Sequence, residues 1–214
     1  MLFVNADDKL LIKLSKEIDK ETYGANGDYI GNIKDNTPFI KVKFNGNIIS
    51  SNLIGDYQFY NIMLAASIGK HFKITENSIK KSLEGYIPSN NRSEVISTSK
   101  NTIILDAYNA NPSSMNAMIT SFSKQDYKNK ICILGDMLEL GSYSKKEHSS
   151  IINLVSELNL NAFFIGEEFL EVNNNSFKDR EDFETFLKSN PIKNKTILLK
   201  GSRGIGLEKL VELL

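Results

Sequence analysis

The chain has 214 residues, of which 41% are hydrophobic and 24% charged, a composition typical of a soluble protein with one large or two small domains. Its 26 basic and 26 acidic residues give zero formal net charge, so neither nucleic acid nor an anionic membrane is expected as a partner. No apolar run approaches the roughly 18 residues of a membrane span, and no secretory signal is visible, so a cytoplasmic location is expected. The single cysteine, Cys132, lies in an apolar run and is expected to be a buried structural thiol.

Residues 1–87 contain few recognisable strands. A short strand at residues 2–4 precedes a helical pattern through Ile18, and Asn45-Gly46 predicts a tight hairpin turn. Helices are expected at residues 58–68, with Gly69 as the stop, and at residues 75–83, with Thr75 as the N-cap. No complete core is evident, so this part resembles half of a domain.

Residues 88–214 alternate between strands and helices after a boundary rich in turn-forming residues at 85–91. Strands are predicted at residues 93–97, 102–106, 130–134, 162–165 and 196–199. Helices are predicted at residues 112–122, 145–158, 179–187 and 207–213. This alternation predicts a Rossmann-like, doubly wound α/β domain, in which ligands bind beyond the carboxyl ends of the strands.

Two strand-end loops carry carboxylates. Asp106 ends a strand, where it could hold the hydroxyls of a ribose or accept hydrogen bonds from its own turn. Asn111 and Pro112, further along the same loop, are suited to begin a helix. Asp136 and Glu139 follow the next strand, where they could bind an ammonium group, although capping a helical turn is the favoured interpretation.

A third loop, residues 200–206, combines Lys200, Ser202 and Arg203 with three glycines and predicts an anion site. The glycine spacing does not fit a dinucleotide-binding motif. The chain has only three arginines, and the third, Arg180, is expected on a solvated helix face. His71 and His148 are both expected at the surface, either exposed or with their hydrogen bonds satisfied.

Taken in order and spacing, three segments resemble the C-terminal domain of the Mur ligases. They are Asp106-Ala107-Tyr108-Asn109-Ala110-Asn111-Pro112, Leu134-Gly135-Asp136-Met137-Leu138-Glu139-Leu140-Gly141 and Lys200-Gly201-Ser202-Arg203. Asn5-Ala6-Asp7-Asp8 and Gly55-x-Tyr57-Gln58-x-x-Asn61 resemble the later half of the family's central, ATPase-type domain. The resemblance implies that residues 1–87 are this half domain and residues 88–214 the Mur ligase C-terminal domain.

The resemblance also implies an activity. An ATP-dependent ligase would add D-alanyl-D-alanine to UDP-N-acetylmuramoyl-tripeptide through an acyl phosphate, during synthesis of peptidoglycan precursors. ATP and Mg²⁺ are the expected cofactors, and the ATP, the dipeptide and the UDP-muramoyl-tripeptide are the expected small-molecule partners.

The resemblance assigns roles to particular residues. Asn61 and Gln58 would bind adenine, Asp106 the ribose, and Arg92 the phosphates, while Tyr108 and Asn109 would line the nucleotide pocket. Ser202 and Arg203, with Lys200 beside them, would bind the carboxylate of the dipeptide, and Asp136 or Glu139 its ammonium group.

The family's phosphate-binding loop, G-x-x-x-x-G-K-[ST], does not occur in these 214 residues. The magnesium ligands and the UDP-sugar domain of the family are likewise expected in a missing N-terminal portion of the same enzyme. The polypeptide alone is therefore expected to lack ligase activity and to bind nucleotide weakly at best.

Two other interpretations remain open. One is another ligase of this superfamily, either the enzyme that adds the third peptide residue or a folylpolyglutamate synthase. The diaminopimelate-adding relative uses an Asp-Asn-Pro-Arg motif that is absent here. The other is a non-catalytic module that binds a nucleotide or a protein.

Overall fold

A computed structural model describes residues 1–214 and divides them into unit 1, Met1–Ile87, and unit 2, Pro88–Leu214. Each unit contains one five-stranded sheet. No helix combines the length and apolar character needed to cross a membrane.

Unit 1 is built on a sheet whose strands follow chain order: β1 (Leu2–Asn5), β2 (Lys20–Gly24), β3 (Tyr29–Asp35), β4 (Lys41–Phe44) and β5 (Asn47–Ser50). Strands β1, β2 and β3 pair in parallel, whereas β4 pairs antiparallel with both β3 and β5. Its helices are α1 (Lys9–Leu14), α2 (Gln58–His71) and α3 (Glu76–Gly85). The predicted hairpin is confirmed, since Asn45 and Gly46 both have the positive φ of a type I′ turn.

Several predictions for unit 1 are wrong. β2 and β3 were not predicted, and the unit does have a core, formed by residues such as Ile40, Val42 and Met63, all fully buried. Helix α1 ends at Leu14 instead of Ile18. Helix α2 continues past Gly69, where a side chain would lie only 2.9 Å from Ile79 of α3. The glycine therefore permits close helix packing and does not stop the helix.

Unit 2 is a mainly parallel sheet in the order β6-β7-β10-β8-β9. The strands are β6 (Glu94–Ser97), β7 (Thr102–Asp106), β8 (Lys130–Gly135), β9 (Asn161–Ile165) and β10 (Thr196–Lys200). Only β6 is antiparallel to its neighbour. The α/β class and the parallel arrangement are confirmed.

Both faces of this sheet are covered, since consecutive strand residues point to opposite faces and are nevertheless buried along the central parts of β7, β8 and β10. Ile133, Ile197 and Leu199 pack with Phe183 and Leu187 in one cluster. The helices of unit 2 are α4 (Pro112–Lys124), α5 (Ser144–Glu157), α6 (Glu167–Val172) and α7 (Arg180–Ser189). Cys132 is fully buried, and burial raises the pKa of its thiol to about 12, as expected for a structural cysteine.

The helix ends of unit 2 test the sequence signals directly. Asn111 caps α4 through a capping box with Ser114, and Pro112 is the first helical residue, as predicted. Helix α6 was not predicted, and the final segment, Leu207–Glu212, is a 3₁₀ helix where an α-helix was expected.

Candidate active site

Four strand ends of unit 2 lie at one edge of the sheet. The parallel register pairs Lys200 with Asp106 and with Leu134, and it pairs Gly135 with Ile165. The loops after β7, β8, β9 and β10 therefore meet, which is the edge where ligands bind in open α/β sheets.

Asp106 and Lys200 form a buried ion pair at this edge. The Lys200 Nζ lies 2.6 Å from Asp106 Oδ2, and the lysine side chain is only 2% exposed. The backbone N–H of Ser93 donates to Asp106 Oδ1 at 3.0 Å. The alternative in which Asp106 accepts from its own turn is therefore wrong, and Lys200 is engaged by a carboxylate where an external anion was expected.

Arg92 and Arg203 both lie against the ring of Tyr108. Their guanidinium carbons are 3.9 Å and 5.6 Å from the ring centroid. Both arginines and the neighbouring Asn109 are exposed. The structure thus presents two cations beside the carboxyl ends of β7 and β10, an arrangement suited to anions.

Ser202 fastens the loop after β8 to the loop after β10. Its backbone N–H donates to the Asp136 carbonyl at 3.0 Å, and its Oγ accepts from the Leu138 N–H at 2.9 Å. Ser202 is only 5% exposed, so it has little contact with solvent. Its hydrogen bonds instead fix the position of its neighbour Arg203.

Asp136 caps a helix, as the capping interpretation predicted. The helix is α6, which follows β9, whereas Asp136 itself follows β8. Its carboxylate accepts from the N–H groups of Glu168 and Phe169 at 3.0 and 2.9 Å. Burial raises the pKa of this carboxyl, while the two backbone donors act in the opposite direction. Asp136 is 3% exposed, whereas Glu139 is exposed and has a positive φ of 67°.

His148 holds the loop that follows β8. It is fully buried, so the expectation of a surface histidine is wrong. The Met137 N–H donates to its Nε2 at 3.0 Å, which places the ring proton of the neutral form on Nδ1. Nδ1 faces the Ser144 carbonyl at 2.9 Å, and Ser144 Oγ donates to Glu168. The histidine therefore joins the β8 loop to α5, and its polar groups are satisfied.

A cavity of about 530 Å³ opens beside this loop. It is lined by cationic and acidic side chains together, which suits a zwitterionic ligand: Lys178, Arg180, Arg203, Lys209, Glu167, Glu181 and Glu208. Arg180 is paired with Glu181 and Glu184, and its side chain is 15% exposed, so it is not on a solvated helix face as expected.

In unit 1, the candidate residues Gln58 and Asn61 lie on the first turn of α2. The Asn61 Nδ2 donates to Gln58 Oε1 at 2.8 Å. Asn61 is exposed and Gln58 partly buried. No group of three or more His, Cys, Asp or Glu side chains in residues 1–214 is arranged to hold a metal ion.

Sequence reasoning missed two contributors to this site. Arg180 lines the cavity, and His148 holds the loop that borders it. Arg180 had one signal, its retention in a chain whose other cations are nearly all lysine. His148 had none, because its partners lie on other elements.

Unit 2 is thus an α/β unit that places two exposed arginines at the carboxyl edge of a mainly parallel sheet. The family model described as Mur ligase, glutamate ligase domain, matches residues 91–203. The chain belongs to the Mur ligase family.

Curated relatives agree with this assignment. The chain is 30% identical to the UDP-N-acetylmuramoyl-tripeptide–D-alanyl-D-alanine ligase of Bacillus subtilis, over 96% of this chain and 49% of that protein. It is 34% identical to the ligase of the same name from Buchnera aphidicola, over 78% of this chain and 38% of that protein. The chain thus spans half or less of the length of these relatives.

Solved structures show the same fold. MurF from Acinetobacter baumannii superposes with a TM-score of 0.82 at 21% identity, over 99% of this chain and 51% of that one. Folylpolyglutamate synthase from Mycobacterium tuberculosis superposes with a TM-score of 0.65 at 12% identity, over 96% of this chain and 52% of that one.

Proposed function

We propose that this chain forms one side of the active site of an ATP-dependent ligase that adds D-alanyl-D-alanine to UDP-N-acetylmuramoyl-tripeptide. The observation that carries the proposal is the pair of exposed arginines on Tyr108, at the carboxyl edge of the sheet. The relatives that match most of this chain bear the name of that ligase.

The nucleotide roles follow the family motifs. Asn61 and Gln58 of unit 1 bind adenine through their amide groups, and Arg92 of unit 2 binds phosphate oxygens. Tyr108 and Asn109 line the nucleotide pocket. Asp106 serves the ribose only through the part of its carboxylate that Lys200 and Ser93 leave accessible, since its side chain is 15% exposed.

The exposure of each side chain refines the roles proposed for dipeptide binding. Arg203 is exposed and binds the dipeptide carboxylate. Ser202 and Lys200 are buried and act indirectly, Ser202 through its hydrogen bond to the loop after β8 and Lys200 through its ion pair with Asp106. Glu139 is better placed than Asp136 to meet the ammonium group, because Asp136 is buried and caps α6.

ATP, with Mg²⁺, supplies the phosphoryl group that turns a substrate carboxylate into an acyl phosphate with a good leaving group. The residues of this chain orient the anions, since fixed guanidinium groups stabilise negative charge without reorganising during reaction. Holding the dipeptide carboxylate on Arg203 directs its amine toward the activated carbonyl.

The family's other chemistry remains a second candidate, because the matching family model is described as a glutamate ligase domain. A ligase of that kind would take glutamate in place of the dipeptide. The two candidates differ in the incoming amine, so a panel of amines separates them.

The experiment joins this chain in frame to the part of the Bacillus subtilis relative with which it does not align. With UDP-muramoyl-tripeptide and ATP, the chimera should release phosphate when D-alanyl-D-alanine is present and not with glutamate. The 214-residue chain alone should release none, because it contains no phosphate-binding loop.

Two results would contradict the proposal. One is a chimera that shows native circular dichroism and binds ATP but accepts glutamate alone. The other is turnover by the isolated chain with all three substrates at a rate like that of the chimera.

A further inference from the structure

Two of the three arginines in the chain contact a single aromatic ring. The Arg92 and Arg203 guanidinium carbons lie 3.9 Å and 5.6 Å from the centroid of Tyr108. These residues come from different loops, before β6 and after β10. The ring therefore joins two cations that the chain brings together only by folding.

Two like charges beside one ring favour the binding of an anion. Neither arginine is in a salt bridge, whereas Arg180 is paired with Glu181 and Glu184. The nearby Asp106 is occupied by Lys200 and Ser93. The site therefore keeps both guanidinium groups free to bind external anions, at the cost of mutual repulsion.

The ring offsets part of that repulsion. A cation over the face of a tyrosine gains roughly 0.5–1 kcal/mol at an exposed site. The contact also restricts two long side chains whose free rotation would otherwise weaken anion binding. Unlike a carboxylate, the aromatic face of Tyr108 does not compete with an external anion for the arginines.

We propose that Tyr108 is a positioning residue that holds Arg92 and Arg203 together and so sets the spacing between two anion sites. One site takes a phosphate-type oxyanion and the other a carboxylate. The identity of the natural anions rests on the proposed function, but the positioning by the ring does not. The aromatic face is the active part, so phenylalanine can replace tyrosine.

Nitrogen-15 NMR of arginine side chains tests this sharply, because the chain gives only three Nε–Hε signals. Without ligand, the signals of Arg92 and Arg203 should carry ring-current shifts that Tyr108→Ala removes and Tyr108→Phe keeps. The Arg180 signal is the internal control and should not move. Unchanged backbone spectra establish that the variants are folded.

Ligand titrations extend the test. Inorganic pyrophosphate should perturb Arg92, and D-alanyl-D-alanine should perturb Arg203. Tyr108→Ala should weaken both by roughly two- to fivefold, and Tyr108→Phe should leave both within error of the wild type.

The outcomes separate the two claims. Ring-current shifts that survive in Tyr108→Ala, or a loss confined to one ligand, would overturn the positioning role. A second outcome is that the ring-current shifts behave as expected but the wild-type arginines respond to neither ligand. That outcome would overturn the anion roles of the proposed function and the spacing between two anion sites. The contact of both arginines with the ring would still be established.

Discussion

Replacing Lys200 by methionine is expected to lower the free energy of unfolding of unit 2 by about 3 kcal/mol. The lysine side chain is 2% exposed and its ammonium group lies 2.6 Å from Asp106. Methionine fills similar space but leaves a largely buried carboxylate without its cation. The partial exposure of Asp106, at 15%, places the effect at the lower end for buried pairs.

Hydrogen exchange of the β10 amides measures this loss in unit 2 alone. Lys145→Met is the matched control, because Lys145 pairs with Glu171 at 3.2 Å while both side chains are more than half exposed. That control should cost less than about 1 kcal/mol. The double variant Lys200→Met with Asp106→Leu should recover part of the loss. Equal losses for Lys200→Met and Lys145→Met would contradict the role of the buried pair.

Replacing Gly166 by alanine is expected to cost about 4 kcal/mol and to loosen the loop that follows β8. Gly166 has a φ of +128°, and an added Cβ would lie 2.1 Å from the Asp136 carboxylate. The carboxylate would have to move, and both of its hydrogen bonds to the start of α6 would be lost. The backbone strain and the loss of the α6 cap therefore both lower the free energy of unfolding.

Gly141→Ala is the matched control in the same unit. Gly141 also has a positive φ, of 53°, but nothing lies within 4 Å of an added Cβ, so only the backbone strain of about 1 kcal/mol applies. Chemical denaturation with hydrogen exchange at Glu168 and Phe169 reports the two effects. If Gly166→Ala proved no worse than Gly141→Ala, the proposed coupling between Asp136 and α6 would be incorrect.

The meeting of three loops at the carboxyl edge of the sheet could be predicted because it depends on the order of strands and loops along the chain. Each of the loops after β7, β8 and β10 follows a buried strand, and parallel strands place such loops at one edge. Helix caps such as Asn111 were predictable for the same reason, since the partner lies three residues away.

The partners of the buried polar groups could not be predicted, because they lie far apart in sequence. Lys200 and Asp106 are 94 residues apart, and Asp136 caps a helix 33 residues later. In the sequence, the cation Lys200 and the carboxylate Asp106 therefore each suggested a ligand site. In the folded protein they form an ion pair with each other. β2 and β3 were missed because they lack the hydrophobic alternation that identifies a strand.

Amide NMR of the isotope-labelled 214-residue chain, titrated with ADP and then with D-alanyl-D-alanine, tests the proposed ligand sites most directly. The carboxyl edge of unit 2 should respond, with perturbations at Arg92, Tyr108 and Asn109 for ADP and around Arg203 for the dipeptide. A rival cavity of about 320 Å³ lies at the opposite edge, beside Lys100 and Lys195. Perturbations confined to that opposite edge would contradict the proposed binding of both ligands at the carboxyl edge.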